Sequence, residues 1–252
     1  EKQPKVVQDA LYENSEDAKS VAVAIDLYKS HKGIKSKPNN SADKAAASSV
    51  KSKSRTTVNG DDSKNFWRES TVAKMIVGLI KQDSGDIYIN GINKKNIDID
   101  DIRNNIIYIP QTSQLFNRTL WQNIIYGLTD EEKHKVKEEE IYKLLEEVGM
   151  KDLSNKFREK MHKNVGKGGS HLSGGQRQVI WLLRCVYKSS PMLIIDEPTN
   201  GLDPDSKRQI INLLKYLKTR KTLIIITHDI DVLPLGNRVI EFKNGMIIKD
   251  EK

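Results

Sequence analysis

LSGGQRQ (172–178) and MLIIDEP (192–198) are the two strings that decide how this chain folds. In the first, two glycines behind a serine open a helix that the spacing carries to about Tyr187. A helix start of that kind turns backbone N–H groups and a positive dipole end toward an anion, so Ser173, Gly174, Gly175 and Gln176 can cradle phosphate. An ordinary glycine-containing helix start is the alternative reading. The second string is an apolar strand that ends in Asp196 and Glu197. One carboxylate there can hold Mg²⁺ through water and its neighbour can polarise an attacking water, although acidic pairs at strand ends also serve as helix caps.

Downstream, Asp203-Pro204 opens a helix whose spacing runs over 205–217, and TLIIIT (222–227) follows as a second apolar strand. Proline is favourable in a first helical turn. The two continuous apolar runs are of strand length, as expected for parallel strands covered on both faces. The unit is strand–helix–strand, and His228 stands at the end of its second strand, where an imidazole can reach a terminal phosphate or play a purely structural part. Upstream, STVAKMIVGLI (70–80) has the spacing of a largely buried helix, while DIYIN (86–90) and IIYIP (106–110) read as short strands. Gln111 follows the latter. Residues 131–148 read as one long charged helix with Ile141, Leu144, Leu145 and Val148 on one face. RVIEFKNGMIIKD (238–250) reads as a hairpin turning at Asn244-Gly245. The fold class is therefore α/β, with a mainly parallel sheet and flanking helices.

The first 65 residues differ in character. The patch VAVAIDLY (21–28) has the composition of a short helix, but 31–64 is dominated by Ser, Lys, Asn and Ala. Such a stretch buries too little apolar surface to offset an ordering cost of about 1–2 kcal/mol per residue. The segment 1–65 is expected to be partly helical and then a disordered linker, with the compact domain at 66–252.

Composition narrows the function. The longest uncharged apolar runs are about seven residues, against roughly 20 for a membrane helix. A single cysteine, Cys185, excludes an intrachain disulfide and fits a reducing compartment; it and Trp181 read as packing residues. The net charge is +8, yet lysines and acids are interspersed, so no specific nucleic-acid groove is expected.

Taken together, Gln111, Ser173-Gly174-Gly175-Gln176, Asp196-Glu197, Asp203 and His228 resemble the ATP-binding cassette (ABC) family of transporter ATPases over about 70–249. The resemblance implies a P-loop NTPase-like fold with a helical subdomain at about 112–190 carrying the LSGGQ signature. It implies ATP and Mg²⁺ as ligands. Glu197, His228 and Gln111 would be catalytic, and Asp196, Gln111 and Ser70 would be on the metal. Ser70, Thr71, the signature residues and Asp203 would contact nucleotide. SQLFNRTLWQNIIYG (113–127) and NVGKGGSHLSGGQ (164–176) look exporter-like, although Lys167 stands where an acid is usual; DEPTNGLDP (196–204) and THD (227–229) look more like importers. The exporter-like reading is favoured.

The family's phosphate loop, G-x-x-x-x-G-K-[ST], is replaced here by SKNFWRES (63–70). Ser63 and Arg68 stand for the glycines and Glu69 for the lysine, while Ser70 and Thr71 survive. Side chains at the glycine positions restrict the backbone that wraps phosphates. The charge reversal acts on an interaction of about 4 kcal/mol at 4 Å and an effective dielectric of ~20. The family's N-terminal β-subdomain and adenine-stacking aromatic are unrecognisable. The expectation is an ATPase domain that keeps the signature half of a site and has lost most of its phosphate-loop half. Its expected partners are a second ABC domain, identical or different, and transmembrane domains on another chain or upstream, at the cytoplasmic face of a membrane. A catalytically inactive relic or regulatory module, and a soluble nucleic-acid-associated relative, are the alternatives.

Overall fold

Three apolar strands account for the centre of the molecule. In the computed structural model, which describes residues 21–26, 69–82, 84–112, 114–243 and 246–251, the 106–110 and 192–198 strings and TLIIIT become β4 (Ile106–Ile109), β5 (Met192–Asp196) and β6 (Thr222–Thr227). They pair in parallel, Ile107 with Leu193 and Leu193 with Leu223. Strands β7 (Arg238–Lys243) and β8 (Met246–Glu251) form the expected hairpin, whose turn residues lie outside the described residues.

The patch at 21–28 was read as helical, and this is corrected: Val21–Asp26 is strand β1. It fills the gap between β6 and β7, giving the order β4-β5-β6-β1-β7-β8, and is antiparallel to both neighbours, with Val23 facing Ile226 on one side and Ile240 on the other. The physical reason is that β6 and β7 do not pair with each other, so both edges need backbone partners that a helix cannot supply. Since β7 is antiparallel to β1, four of the six strands run in one direction. The assignment of 1–65 as a segment outside the fold is likewise corrected at these six residues; the rest of it lies outside the described residues.

Both faces of the central strands β5 and β6 are buried, and the alternation along them sorts their side chains between two cores. Leu193, Ile195, Leu223 and Ile225 join one cluster with α7 (Gly174–Tyr187) and α8 (Pro204–Lys218); Ile194 and Ile226 join the other with Met75 of α1 (Glu69–Ile76) and Ile102 of α2 (Ile99–Asn105). A small hairpin, β2 (Tyr88–Ile89) and β3 (Ile92–Asn93), turns at Asn90-Gly91.

Residues 112–190 carry α3 (Leu120–Ile124), α4 (Asp130–Lys135), α5 (Glu138–Glu147), α6 (Lys151–Lys160) and α7. The single helix expected over 131–148 is corrected to two, α4 and α5. Val136, buried at 7 % exposure, takes an extended conformation, and Glu138, Glu139 and Glu140 form a new first turn whose charge favours a helix N-terminus. Arg184 of α7 ties this region together: it donates from Nη2 to the buried Asn123 side chain at 3.0 Å and from Nε to the Asn123 carbonyl. Burial pushes its guanidinium down to about 10.

Candidate functional site

The C-terminal ends of β5 and β6 bring the acidic pair and the histidine to one end of the sheet. Asp196 is the last residue of β5, only 3 % exposed. Its Oδ2 accepts from the Tyr108 hydroxyl at 2.9 Å, while Oδ1 is buried without a hydrogen-bond partner among the described residues. Glu197 follows with φ +50°, a left-handed conformation uncommon for a residue with a side chain. Its N–H donates to the Ile226 carbonyl at 2.8 Å, and its buried Oε1 lies 3.4 Å from His228 Nε2. Burial raises the Glu197 carboxyl above the usual range; the His228 ring pulls it down, and Asp196 pushes it up again. A carboxylate so placed is suited to accept a proton.

Between these strand ends and the start of α7 lies a cleft of about 610 Å³ lined by Gln111, Lys167, Gly174, Arg177, Glu197 and Asn200, among others. The structure thus brings Gln111, Gly174 and Glu197 to one cavity, with His228 against Glu197. The lining does not include Ser70 or Thr71, which sit in the first turn of α1. Residues 63–68, where the phosphate loop is expected, lie outside the described residues.

The signature residues have a local structural role as well. Ser173 caps α7: its hydroxyl accepts from Gln176 N at 3.2 Å, and Gln176 Oε1 accepts from Ser173 N at 3.0 Å, a reciprocal capping box. A Cβ on Gly175 would stand 2.6 Å from Ser206 Oγ, so the α7 start can approach α8 only with glycine there. Asp203 caps α8, accepting from Asp205 N and Ser206 N at 3.1 and 2.9 Å; the Ser206 hydroxyl first, and then these N–H groups, hold its carboxyl below the usual range.

Sequence reasoning missed three groups next to these. Tyr108 bonds Asp196. Thr199 donates to Asp229 Oδ2 at 2.7 Å, and Lys207 reaches Asp229 at 3.0 Å and Asp231 at 3.3 Å, fastening α8 to the residue after His228. Thr199 lies within DEPTNGLDP (196–204), but the pairings bridge positions distant in sequence. Cys185 is buried and its thiol is pushed up to about 12, in keeping with packing. Trp121 and Trp181 pack against the larger core.

The profile of the ABC transporter family matches residues 69–200. This chain belongs to the ABC transporter family. Its relatives include an ATP-dependent lipid A-core flippase of Francisella tularensis subsp. holarctica (strain OSU18), 29 % identical over 184 residues, covering 73 % of this chain and 30 % of the relative. The protein of the same name from Pasteurella multocida (strain Pm70) is 31 % identical over 179 residues, covering 71 % and 30 %. Among solved structures, that of a bacterial Atm1-family ABC exporter with ATP bound superposes with a TM-score of 0.61 at 24 % identity, over 73 % of this chain and 31 % of the other, and shows the shared ABC fold. The chain spans about 30 % of the length of the curated relatives it matches. The α/β, P-loop NTPase-like class expected from the sequence is thereby established.

Proposed function

We propose that this chain is the nucleotide-binding domain of an exporter-type ABC transporter, coupling ATP binding and hydrolysis to movement of a solute across a membrane. The observation that carries this reading is the pairing of Glu197, left-handed and partly desolvated, with His228 beside a cleft that also holds Gln111 and the α7 start. In this reading the Glu197 carboxylate accepts the proton of the attacking water, and the His228 ring holds both that carboxylate and the terminal phosphate. Gln111 orients water across the cleft. Ser173, Gly174, Gly175, Gln176 and Asp203 face the nucleotide held by a second ABC domain, identical or different.

Mg²⁺ fits the residues present, because Asp196 Oδ1 is a buried oxygen lacking a donor, as a cation or its water would require. Asp196 would hold it, with Gln111 and Ser70 as further oxygen ligands. Bound there, the ion supplies charge neutralisation for the triphosphate. With Glu69 at the lysine position, this chain contributes a weak phosphate-loop half and an intact signature half, so pairing with an intact domain gives one competent and one degenerate site, and an identical pair has two degenerate sites. Membrane domains on another chain or upstream complete the transporter at the cytoplasmic face. The exposed pair Phe116 and Tyr126, with ring centroids 4.2 Å apart, offers an aromatic surface for them.

ATP hydrolysis measured for the chain alone and mixed with an ABC domain bearing an intact phosphate loop tests this reading. The mixture is expected to exceed the sum of its parts, and Glu197→Gln is expected to lower its rate by about 10²–10⁴-fold, the range for loss of a general base. A mixture that neither binds nor hydrolyses ATP, measured by calorimetry and phosphate release, supports the regulatory alternative, which Glu69 favours.

A further inference from the structure

Residues of α6, the start of α3, the 163–172 loop and Gln176 enclose a second cavity of about 280 Å³. Its floor is apolar: Leu120, Phe157 and Val165 are each at most 3 % exposed. Its polar lining residues are Lys156, Lys160, Lys163, Asn164, His171 and Gln176, and among the described residues no acidic one lines it.

Helix-end electrostatics alone do not explain this charge. A basic last turn is favourable on any helix, which covers Lys160, but Lys163 and His171 lie beyond α6. Neighbouring basic side chains have acidic partners: Arg158 pairs with Glu139 at 2.6 Å, and His162 Nε2 lies 2.9 Å from Glu138. Among the described residues, Lys156, Lys160 and Lys163 have no such acidic partner. His171 is fixed in place by its Nδ1–H, which donates to the Asn164 carbonyl at 3.1 Å. That bond leaves Nε2 as the ring's remaining polar atom.

We propose that this cavity binds a phosphate group carried on a compact apolar body, with the three ammonium groups and His171 on the phosphate and Leu120, Phe157 and Val165 under the body. Ammonium donors form charge-assisted hydrogen bonds with phosphate oxygens, and the floor favours a phosphate ester over the bare ion. A soluble organic phosphate and the headgroup region of an anionic phospholipid share this chemistry. Neither Glu197 nor His228 lines the cavity, although Gln176, placed above among the nucleotide-facing residues, does; the test therefore reads binding at the cavity lysines and not ATP hydrolysis.

The test titrates the whole chain with phenyl phosphate and with inorganic phosphate by calorimetry, and sediments it with phosphatidylcholine vesicles with and without phosphatidic acid. Three variants accompany the native chain: Lys160→Ala/Lys163→Ala in the cavity, Lys167→Ala in the cleft, and Lys143→Ala/Lys151→Ala outside both. Phenyl phosphate is expected to bind saturably and more tightly than inorganic phosphate, and Lys160→Ala/Lys163→Ala is expected to weaken it about tenfold or more through loss of two charge-assisted contacts. Loss of phosphatidic-acid-dependent sedimentation in that variant alone, with no soluble binding, also supports the site and assigns it to lipid. Absence of binding to both probes overturns the proposal. So does an equal loss in Lys143→Ala/Lys151→Ala, or a loss confined to Lys167→Ala, which places the anion in the cleft.

Discussion

The Tyr108 hydroxyl stands 2.9 Å from Asp196 Oδ2 and joins two parallel strands at the end where the candidate site forms. Tyr108 is registered with Ile194, so Tyr108, Ile194 and Asp196 project from the same face of the sheet. Among the described residues, the bond leaves only one oxygen of the carboxylate without a donor. Burial first, then the Asp196 charge, raises the Tyr108 phenol above the ordinary tyrosine range, so it remains a donor at neutral pH. Tyr108→Phe is expected to lower stability by about 1–3 kcal/mol, the cost of leaving a buried polar group unpaired. Urea denaturation with and without Mg²⁺ and ATP checks it: the deficit is expected to shrink when a cation takes over the freed oxygen.

Lys207 and Asp229 provide the second test. Asp229 is fully supplied with donors, from the Thr199 hydroxyl, Lys207 and the Asp231 N–H. Although burial raises its carboxyl, those partners outweigh burial and hold it below the usual range. A double-mutant cycle of Lys207→Met and Asp229→Asn is expected to give a coupling of about 1 kcal/mol, near the upper end for a partly exposed pair. Because Asp229 adjoins His228, the single variants are also expected to move the His228 ring resonances in NMR spectra recorded at one pH, while Lys215→Met, distant on α8, leaves them in place.

Much of this arrangement was legible in the sequence, and the parts that were not share a cause. The strands β4, β5 and β6 and the helices α7 and α8 are long apolar or amphipathic runs with local caps, and the site residues lie at their ends. The Asn90-Gly91 pair, with φ of +51° and +78°, marks the β2–β3 hairpin by a local turn signal that went unread. Strand β1 was misread because its conformation is dictated by the open edges of β6 and β7, two hundred residues away along the chain. The break at Val136 follows from its burial in the core, which periodicity does not reveal. Tyr108–Asp196 and Lys207–Asp229 are non-local pairs that only the assembled sheet brings together.

Glu132 yields a pH-dependent prediction. Burial tends to raise its carboxyl, but the N–H groups of Ser189 and Thr129, at 2.6 and 2.8 Å, and the charge of Lys188 more than offset this and leave it below the usual range. A folded-state value below the unfolded one contributes stability above the unfolded value, about 4.3 for glutamate, and that contribution is lost as pH falls through the folded value. Glu132→Gln is therefore expected to be less stable than the native chain by about 1–3 kcal/mol at pH 7, from weakening hydrogen bonds to a charged acceptor. The two unfolding midpoints are expected to converge as the pH is lowered below the ordinary glutamate range. A gap that persists unchanged at acid pH contradicts the assignment.

Gly175 separates a packing role from an anion-binding one. A Cβ there would lie 2.6 Å from Ser206 Oγ and 2.7 Å from Ser206 Cβ, where α7 and α8 begin side by side. Gly175→Ala is expected to cost about 1–3 kcal/mol, the usual range for overpacking. Ser206→Ala keeps the offending Cβ and is not expected to rescue it. Ser206→Gly removes both clashing atoms while retaining the N–H that Asp203 accepts at 2.9 Å, and is expected to restore part of the loss despite about 0.5–1 kcal/mol for glycine in a helix. If thermal unfolding instead shows Gly175→Ala to be as stable as the native chain while nucleotide-dependent activity with a partner domain falls, the glycine serves the phosphate and not the approach of the two helices.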